Sequence, residues 1–218
     1  MTPSSSAPIV AISQRVVEDQ SRAETRDSLD QKWTQILEPL GVIVVPVPNL
    51  LLNISLWLQA LSPSLIILSG GNDLAYLGTP ESSLDRDNTE MMLLNYATAG
   101  KVPVLGVCRG MQFLVHASGG SLTSLSGHAG TRHSVVTVES DSTWGAFGER
   151  TVDSYHNWGV MPDGIPPNWN VLAAGADGSI EAIAHSHLPQ VGVMWHPERG
   201  ESHPQDILLL ETLLKLRP

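Results

Sequence analysis

Short apolar runs alternate with longer amphipathic segments through the first half of the chain. Runs of about four to eight apolar residues between turn residues predict strands that are buried on both faces. Segments in which apolar residues recur every three or four positions predict helices with one buried face. The predicted strands cover residues 9–12, 42–47 and 65–68 and the run before Cys108, whereas residues 16–20 are interpreted as a loop. The predicted helices cover residues 23–40, 54–61 and 85–99 and a short segment after Cys108.

The second half of the chain has a different pattern, which begins after Gly120. Glycine, serine, threonine and asparagine become frequent, and apolar residues alternate with polar ones over short stretches. Such alternation predicts strands with one exposed face. The predicted strands are 134–138, 171–174 and 180–184, with Asp177-Gly178 as a hairpin turn, followed by a strand at 191–195 and a closing helix at 205–216.

This order of elements predicts an α/β fold in one domain over residues 1–218. Strands that alternate with helices at this spacing favour an open, mostly parallel sheet flanked by helices. The short alternating strands of the second half predict a small antiparallel extension of that sheet. No repeat or low-complexity linker divides the chain.

Composition and charge narrow the classes of function. The formal net charge of -10 argues against nucleic acid or an anionic membrane as a partner. No apolar run approaches the roughly 20 residues that are needed to cross a bilayer. Residues 1–8 are polar and rich in serine and proline, so we expect a frayed end without a signal peptide and a cytoplasmic protein. His185 and His187 share a strand face but have no third ligand, so no metal site is predicted there.

Cys108, the only cysteine of the chain, lies between an apolar run and an amphipathic segment. Gly106 and Gly110 flank it at two residues on either side, as a sharp strand-to-helix elbow requires. A helix that begins behind the sulfur directs backbone N–H groups and a positive dipole end toward it, which favours the nucleophilic thiolate. A lone cysteine is more often an inert core residue, so the prediction of a nucleophile depends on finding its partners.

His196 and Glu198 supply the groups that a cysteine nucleophile needs. If the strand before His196 lies next to the strand before Cys108, both residues lie at the carboxyl edge of the sheet, where open α/β proteins form their sites. His196 could then act as the base, and Glu198 could fix its tautomer. The backbone N–H groups of Arg109 and Gly71 could form the oxyanion hole.

The strings Gly-Val-Cys-Arg-Gly-Met-Gln and His-Pro-Glu, with the upstream Gly-Gly pair, resemble the class I glutamine amidotransferases and, within them, the γ-glutamyl hydrolase-like (peptidase C26) branch. The resemblance covers nearly the whole chain. It implies a flavodoxin-like sheet and a cysteine that attacks a γ-glutamyl carbonyl to form a thioester, without a cofactor. It implies Cys108 as nucleophile, His196 as base and then acid, and Glu198 as its orienting partner.

A narrower resemblance concerns the substrate. Ile-Ser-Gln-Arg, Ser-Gly-Gly-Asn-Asp-Leu and Val-Met-Trp-His-Pro-Glu-Arg are similar to strings in glutamyl-CDP-amidate hydrolases of capsular phosphoramidate biosynthesis. Those enzymes remove a γ-glutamyl group from a cytidine diphosphoramidate. The expected partner is therefore a small γ-glutamyl molecule, and a homodimer is a further expectation.

Several other residues are candidates for substrate binding, each with an ordinary structural alternative. Gln112 matches the family residue that holds the glutamyl head group, or is simply a polar helix position. Residues 154–157 match the family's Ser-x-His segment, or form an ordinary turn. Arg86 could reach a substrate carboxylate or phosphate, or belong with Asp87 and Glu90 to a solvated helix start. The predicted substrate-binding set is Gly70, Asn72, Arg86, Gln112, Tyr155, His156 and Asn157.

A glycine-rich stretch after the elbow helix carries His128, Arg132 and His133. It is interpreted either as a flap that places Arg132 near a diphosphate or as a mobile surface loop. Trp144 or Trp158 could stack on a cytosine, although tryptophans more often pack in the core.

Four functions stay open at this point. The first is hydrolysis of glutamyl-CDP-amidate, and the second is a γ-glutamyl-γ-aminobutyrate-type hydrolase with the same catalytic residues. The third is a glutaminase subunit that passes ammonia to a partner synthase. The fourth is a ligand-binding relic of the fold, against which the intact Cys108, His196 and Glu198 argue.

Overall fold

A computed structural model describes residues 7–138, 143–144, 147–200 and 203–216, and strands dominate it. In chain order they are β1 (Ile9–Ser13), β2 (Arg15–Asp19), β3 (Glu24–Ser28), β4 (Ile43–Val47), β5 (Leu65–Leu68), β6 (Val104–Val107), β7 (Thr123–Ser124), β8 (Ala129–Thr137), β9 (Arg150–Tyr155), β10 (Trp158–Gly159), β11 (Trp169–Gly175), β12 (Ile180–His185) and β13 (Gln190–Val193). The helices are α1 (Lys32–Leu37), α2 (Ile54–Leu61), α3 (Leu84–Gly100), α4 (Arg109–Ala117) and α5 (Pro204–Lys215).

Nine of these strands form one open sheet in the order β4-β1-β5-β6-β13-β12-β11-β8-β9. The first five are parallel, and the pairs from β13 to β9 are antiparallel. Helices α1 and α5 pack on one face and α2, α3 and α4 on the other, because side chains of the central strands alternate between two apolar clusters. The predicted fold class, an open sheet with a parallel core and an antiparallel extension, is confirmed.

The elbow depends on one particular strand pair. Strand β13 is parallel to β6, and Val193 is opposite Val107 in the register. Both strands therefore end at the same edge of the sheet, one residue before Cys108 and three residues before His196. The prediction that these two strands lie next to each other in the sheet is confirmed.

The prediction of one helix over residues 23–40 is wrong in its first half, and so is the loop over 16–20. Strands β2 and β3 form a hairpin there, and only residues 32–37 form an α-helix, followed by a 3₁₀ turn. All five residues of β3 are exposed, so this segment has no apolar face to bury as a helix. The hairpin is held in place by Asp27, whose carboxylate accepts hydrogen bonds from the Asn49 backbone N–H (3.0 Å) and side chain (2.6 Å).

The antiparallel half also differs from the prediction. Strand β8 is longer than expected and includes much of the glycine-rich stretch, so that stretch is not a loop. Strand β9 is missing from the prediction, because its buried positions alternate as Arg150, Val152 and Ser154. Two of these three inward residues are polar, which hides the period-2 apolar signal on which the prediction of a strand depends.

The start of the chain and the membrane-span prediction can be compared with the structure only within the described residues. The predicted frayed start lies largely outside the described residues, because residues 1–6 are not among them. Within the described ranges, no helix has the length and apolar content that a membrane span requires.

Candidate active site

Cys108 occupies a strained turn between β6 and α4. Its φ of 53° lies in the left-handed region, which typically costs a non-glycine residue about 1–3 kcal/mol. The turn is fixed from both sides, since the Cys108 N–H donates to the Val193 carbonyl (2.8 Å) and its own carbonyl accepts from the Gln112 N–H (3.1 Å). The turn therefore holds the Cys108 backbone at the first turn of the helix.

The flanking glycines are required by close approach of the backbone. A Cβ on Gly110 would overlap the carbonyl oxygen of Leu68 on the neighbouring strand. A Cβ on Gly106 would come within 2.7 Å of the Gly110 carbonyl group. The helix therefore packs directly on β5 and β6, as the elbow motif predicts.

His196 and Glu198 form a buried pair beside the cysteine. His196 Nδ1 lies 2.7 Å from Glu198 Oε1, and both side chains are almost completely buried. Burial of the ring works to lower the pKa of His196, but the charge and hydrogen bonding of Cys108 and Glu198 together outweigh it and raise that pKa to about 9. The structure thus places the His196–Glu198 pair beside Cys108, and a protonated imidazole next to a cysteine generally favours the thiolate.

The Gly70-Gly71 turn packs against this pair. A Cβ on Gly70 would lie 2.6 Å from His196 Cε1 and 3.5 Å from Cys108 Cβ, so only a glycine fits there without moving the ring. Gly71 has a φ of 85°, a conformation that glycine adopts without strain. The turn thus lies directly against His196 and Cys108.

Replacing Gly70 with alanine should displace the His196 ring. Because a shift of about 1 Å in a catalytic group can cost roughly 100-fold in rate, we expect Gly70→Ala to lower kcat by about that factor. Gly100→Ala is the matched control, since the nearest atom to its new Cβ is the Val102 side chain at 3.5 Å, an ordinary contact. Steady-state kinetics on both variants check this, and an equal kcat for the two would contradict the packing role of Gly70.

Arg86 does not reach the cleft, which corrects the prediction that it binds substrate. Its side chain is 0% exposed, and its guanidinium donates to the backbone carbonyls of Ser69, Gly70 and Gly71. Its Nε also lies 2.9 Å from Glu90 Oε1. Arg86 is therefore a positioning residue that holds the turn after β5 from behind.

Glu90 connects this arginine to the elbow, so the start of α3 is not a solvated helix end. The buried Glu90 carboxylate pairs with Arg86 and with the Arg109 guanidinium, and it accepts a hydrogen bond from Ser13 Oγ (2.7 Å). Arg109 also pairs with Asp87. Burial works to raise the pKa of Glu90, but Arg109 and Arg86 outweigh it and lower the pKa, so the carboxylate stays charged.

Removing one member of this network should destabilise the fold. Arg86→Met leaves a buried carboxylate with one arginine fewer and leaves three backbone carbonyls without their donor, so we expect a loss of about 3–5 kcal/mol in the free energy of unfolding. Arg22→Met, on an exposed arginine, should stay within about 0.5 kcal/mol of wild type. Urea denaturation measures both, and a loss below about 1 kcal/mol for Arg86→Met would show that the network contributes little.

A cleft of about 360 Å³ opens beside Cys108. Nearly all the predicted substrate-binding residues reach it, and its lining comprises Arg15, Gly71, Asn72, Asp73, Glu81, Cys108, Arg109, Gln112, Tyr155, His156, Asn157, Trp158, His196 and Arg199. Of the predicted set, Arg86 is absent and Gly70 lies just beneath, against His196. The structure therefore brings together the elbow, the Gly-Gly turn and residues 155–157.

Some of these side chains are already engaged within the protein. Gln112 Nε2 donates to the Trp158 carbonyl (2.7 Å), and His156 Nδ1 lies 3.0 Å from the same oxygen. The Asn72 amide pairs with the backbone N–H and carbonyl of Val16 (2.7 and 2.9 Å), which fixes β2 beside the cleft. Tyr155 is half exposed, with its ring edge-on to His196 at 5.7 Å. Trp158 and Tyr155 also line the cleft, and the Arg199 guanidinium lies 4.6 Å from the centre of the Tyr155 ring.

One group among the described residues could hold a metal ion. The ligand atoms of His128, His156 and Glu181, all buried, lie within 4.8 Å of one another. Burial and the neighbouring His128 lower the pKa of His156 to about 4, so its imidazole is neutral. His156 lines the cleft, whereas His128 and Glu181 do not, and sequence spacing gives no signal for the group. The pair His185 and His187 instead forms a turn in which His185 Nδ1 accepts the His187 N–H (3.1 Å).

Two further residues that were candidates for substrate contacts, Arg132 and Trp144, lie outside the cleft. Arg132 lies on β8, is 68% exposed and pairs with Asp153 (3.2 Å), so it does not border the cleft. It lines a separate hollow of about 510 Å³ on the other side of His196. Trp144 packs against the apolar core rather than in the cleft.

The fold and the sequence of the chain can be compared with those of known proteins. A glutamine amidotransferase from Methylobacillus flagellatus superposes with a TM-score of 0.68 at 16% identity, over 98% of this chain and 96% of that one, which shows a common fold. The chain belongs to the Peptidase C26 family, whose model matches residues 8–198.

The chain is also similar to two curated proteins with different names. The γ-glutamyl-CDP-amidate hydrolase of Campylobacter jejuni is 27% identical over 192 residues, which is 87% of this chain and 90% of that protein. A component of the glutamine-hydrolysing GMP synthase of Pyrococcus abyssi is 32% identical over 152 residues, 69% of this chain and 75% of that one.

Four residues of the cleft are neither predicted site residues nor other candidates, and they are Arg15, Asp73, Glu81 and Arg199. Arg15 directly follows Gln14 at the end of β1, and Arg199 directly follows Glu198. Both lie just after strands that end at the carboxyl edge of the sheet, where sites in open α/β proteins form, and this signal could have identified them.

Proposed function

We propose that the chain is a cysteine-dependent hydrolase that cleaves the amide bond of a γ-glutamyl conjugate. The observation that carries the proposal is the buried His196–Glu198 pair, joined at 2.7 Å, beside a cysteine on a strained elbow. Family membership supports it, because Peptidase C26 matches almost the whole length from residue 8 to residue 198.

The reaction follows from the placement of these groups. The Cys108 thiolate attacks the γ-carbonyl carbon and forms a C–S bond, while the N–H groups of Gly71 and Arg109 hold the oxyanion. His196 gives its proton to the leaving nitrogen, the C–N bond breaks, and the amine departs. His196 then takes a proton from water, which attacks the thioester carbonyl. Glutamate leaves, and the thiolate and imidazolium are restored.

The preferred substrate is glutamyl-CDP-amidate, cleaved to glutamate and cytidine diphosphoramidate in capsule modification. The similarity to the Campylobacter jejuni hydrolase over 87% of this chain supports this choice. The alternatives are a γ-glutamyl-γ-aminobutyrate-type conjugate and free glutamine. The 32% identity to the glutamine-hydrolysing GMP synthase component favours glutamine as the second candidate, with ammonia passed to a partner synthase.

A substrate comparison tests the proposal. The protein is incubated separately with glutamyl-CDP-amidate, γ-glutamyl-γ-aminobutyrate and glutamine, and glutamate release is measured by mass spectrometry. We expect the highest kcat/KM with glutamyl-CDP-amidate. A higher kcat/KM with γ-glutamyl-γ-aminobutyrate would make that conjugate the preferred substrate in place of glutamyl-CDP-amidate. Slow glutamine hydrolysis that becomes faster when a synthase is added would support the amidotransferase alternative. Release of glutamate from none of them would overturn the hydrolase proposal.

A further inference from the structure

Arg15 places a guanidinium beside the Gly70-Gly71 turn. Its Nε, Cδ and Cζ lie 3.3–3.4 Å from the position that a Cβ on Gly71 would occupy, so the guanidinium lies over the backbone of that glycine. The residue is exposed, and within the described ranges the Arg15 side chain has no ion pair. An arginine in this place can meet a ligand without first leaving a protein partner.

Arg199 approaches the same region from the other side of the nucleophile. Its Cζ lies 4.6 Å from the centre of the Tyr155 ring, a stacking distance that holds the guanidinium over the cleft. Its carboxylate contacts are made through Nε, at 3.7 Å to Glu198 and 4.0 Å to Asp30, which is too long for a hydrogen bond. The two terminal nitrogens are therefore available to a ligand.

The two arginines border two spaces that meet at the Gly-Gly turn. Both line the cleft that contains Cys108, and both line an adjoining hollow of about 210 Å³ bordered by Gly70 and Gly71. Gln112 lines the cleft but not the hollow. If the glutamyl head group lies toward Gln112, the part of the substrate beyond the scissile nitrogen points to the junction that the arginines share.

The charge pattern makes this pair unusual. The chain carries a net charge of -10, and its buried arginines are neutralised by carboxylates, as Arg86 is by Glu90 and Arg150 by Asp206. In the part of the chain that the structure describes, Arg15 has no ion pair and Arg199 has only the two long contacts through Nε. Both line the cleft, whose lining also includes the carboxylates of Asp73 and Glu81, with no ion pair between either of these and the two arginines. Guanidinium groups offer parallel N–H donors that match the two oxygens of a phosphate or carboxylate.

We propose that Arg15 and Arg199 form an anion subsite that binds a phosphate or carboxylate carried by the leaving amine. The subsite makes the enzyme selective for γ-glutamyl conjugates with an acidic leaving group over those with a neutral one. It rests on the proposed γ-glutamyl hydrolase function and explains how the same triad would prefer a diphosphate-bearing substrate to glutamine.

A matched pair of chromogenic substrates tests the selectivity. γ-Glutamyl-p-nitroanilide and γ-glutamyl-3-carboxy-4-nitroanilide share the glutamyl part, including its α-carboxylate, and differ by one negative charge on the leaving amine. We expect wild type to have the higher kcat/KM with the carboxy compound. Arg15→Ala and Arg199→Ala should each lower the ratio of the two kcat/KM values about 10-fold, whereas Arg22→Ala, on an exposed arginine outside the cleft, should leave that ratio as in wild type. Arg15→Lys should keep part of the preference.

A binding measurement separates this inference from the proposed function. Calorimetry with CDP as the probe, and cytidine as its uncharged control, requires no turnover. We expect CDP to bind wild type and the Arg22→Ala protein and to bind Arg15→Ala and Arg199→Ala about 10-fold more weakly. Binding of CDP with these losses, but hydrolysis of neither anilide, would overturn the hydrolase function and keep the subsite.

Other outcomes overturn the subsite itself. The subsite would be ruled out if wild type had equal kcat/KM values for the two anilides and all variants bound CDP equally well. An equal loss on both anilides in the two arginine variants would show that the arginines hold the α-carboxylate of the glutamyl part instead.

Discussion

Cys108→Ala is expected to lose hydrolysis of every γ-glutamyl substrate, with kcat lower by about 10⁴-fold or more. The variant lacks the atom that forms the thioester, and no other cysteine of the chain can replace it. The nucleophile is almost completely buried and removal of one sulfur changes little packing, so the thermal midpoint should stay close to that of wild type. Glutamate release in a coupled assay measures the effect.

Cys108→Ser is the matched control, because it keeps the size of the side chain and an oxygen in place of the sulfur. A serine hydroxyl is much less easily ionised than a thiol, so this variant should also be nearly inactive while it still binds substrate. Wild-type turnover by purified Cys108→Ala protein would show that another group performs the reaction.

Glu198→Gln is expected to reduce kcat by about 10²–10⁴-fold and to change the pH dependence of kcat/KM. The raised pKa of His196, about 9, means that the imidazolium needed to protonate the leaving nitrogen is lost as the pH rises through that value. The wild-type kcat/KM should therefore fall on the alkaline side near pH 9. Glu198 is one of the groups that raise this pKa, so in the variant the alkaline limb should move to lower pH.

The pH profiles of kcat/KM for both proteins check this prediction, because kcat/KM reports the pKa values of the free enzyme. Glu211→Gln, on the exposed face of α5, is the control and should reproduce the wild-type profile. An alkaline limb at the same pH in wild type and Glu198→Gln would show that Glu198 does not act through His196. A structural role alone would change the amount of folded protein and leave the position of the limb unchanged.

The residues that we propose to react can be predicted from the sequence because their signals are local. Gly106 and Gly110 are determined by close contacts within the elbow, and His196 and Glu198 lie two residues apart on one short segment. Only one nonlocal assumption is needed, which is that β13 and β6 are neighbours in the sheet. The apolar runs that precede Cys108 and His196 both predict buried strands, and this favours the assumption. The structure confirms that assumption.

The supporting residues cannot be predicted in the same way. Arg86 and Glu90 are four residues apart on a helix, and this spacing looks the same for an exposed ion pair and a buried one. Their burial depends on the turn after β5 and on Arg109, which are distant in the sequence. The group formed by His128, His156 and Glu181 likewise combines three strands or strand ends that no local pattern connects.

The hairpin of β2 and β3 shows a second limit. Its charged residues precede a segment with helical apolar spacing, so the sequence pattern predicts one continuous helix. In the structure the segment is instead a hairpin that is held by hydrogen bonds with Asn49 and Asn72. Those contacts position Arg15 beside Gly71, so the error about local structure conceals a candidate site residue.

The central claim is that Cys108 forms a covalent intermediate with the γ-glutamyl carbonyl. It is tested most directly with 6-diazo-5-oxo-norleucine, a reactive analogue of glutamine, followed by intact-mass measurement and peptide mapping. We expect a single adduct on Cys108 in wild type, formed in step with the loss of hydrolysis, and no adduct in Cys108→Ala. The claim would be contradicted if the enzyme lost activity without modification of Cys108. An adduct on another residue would also contradict it.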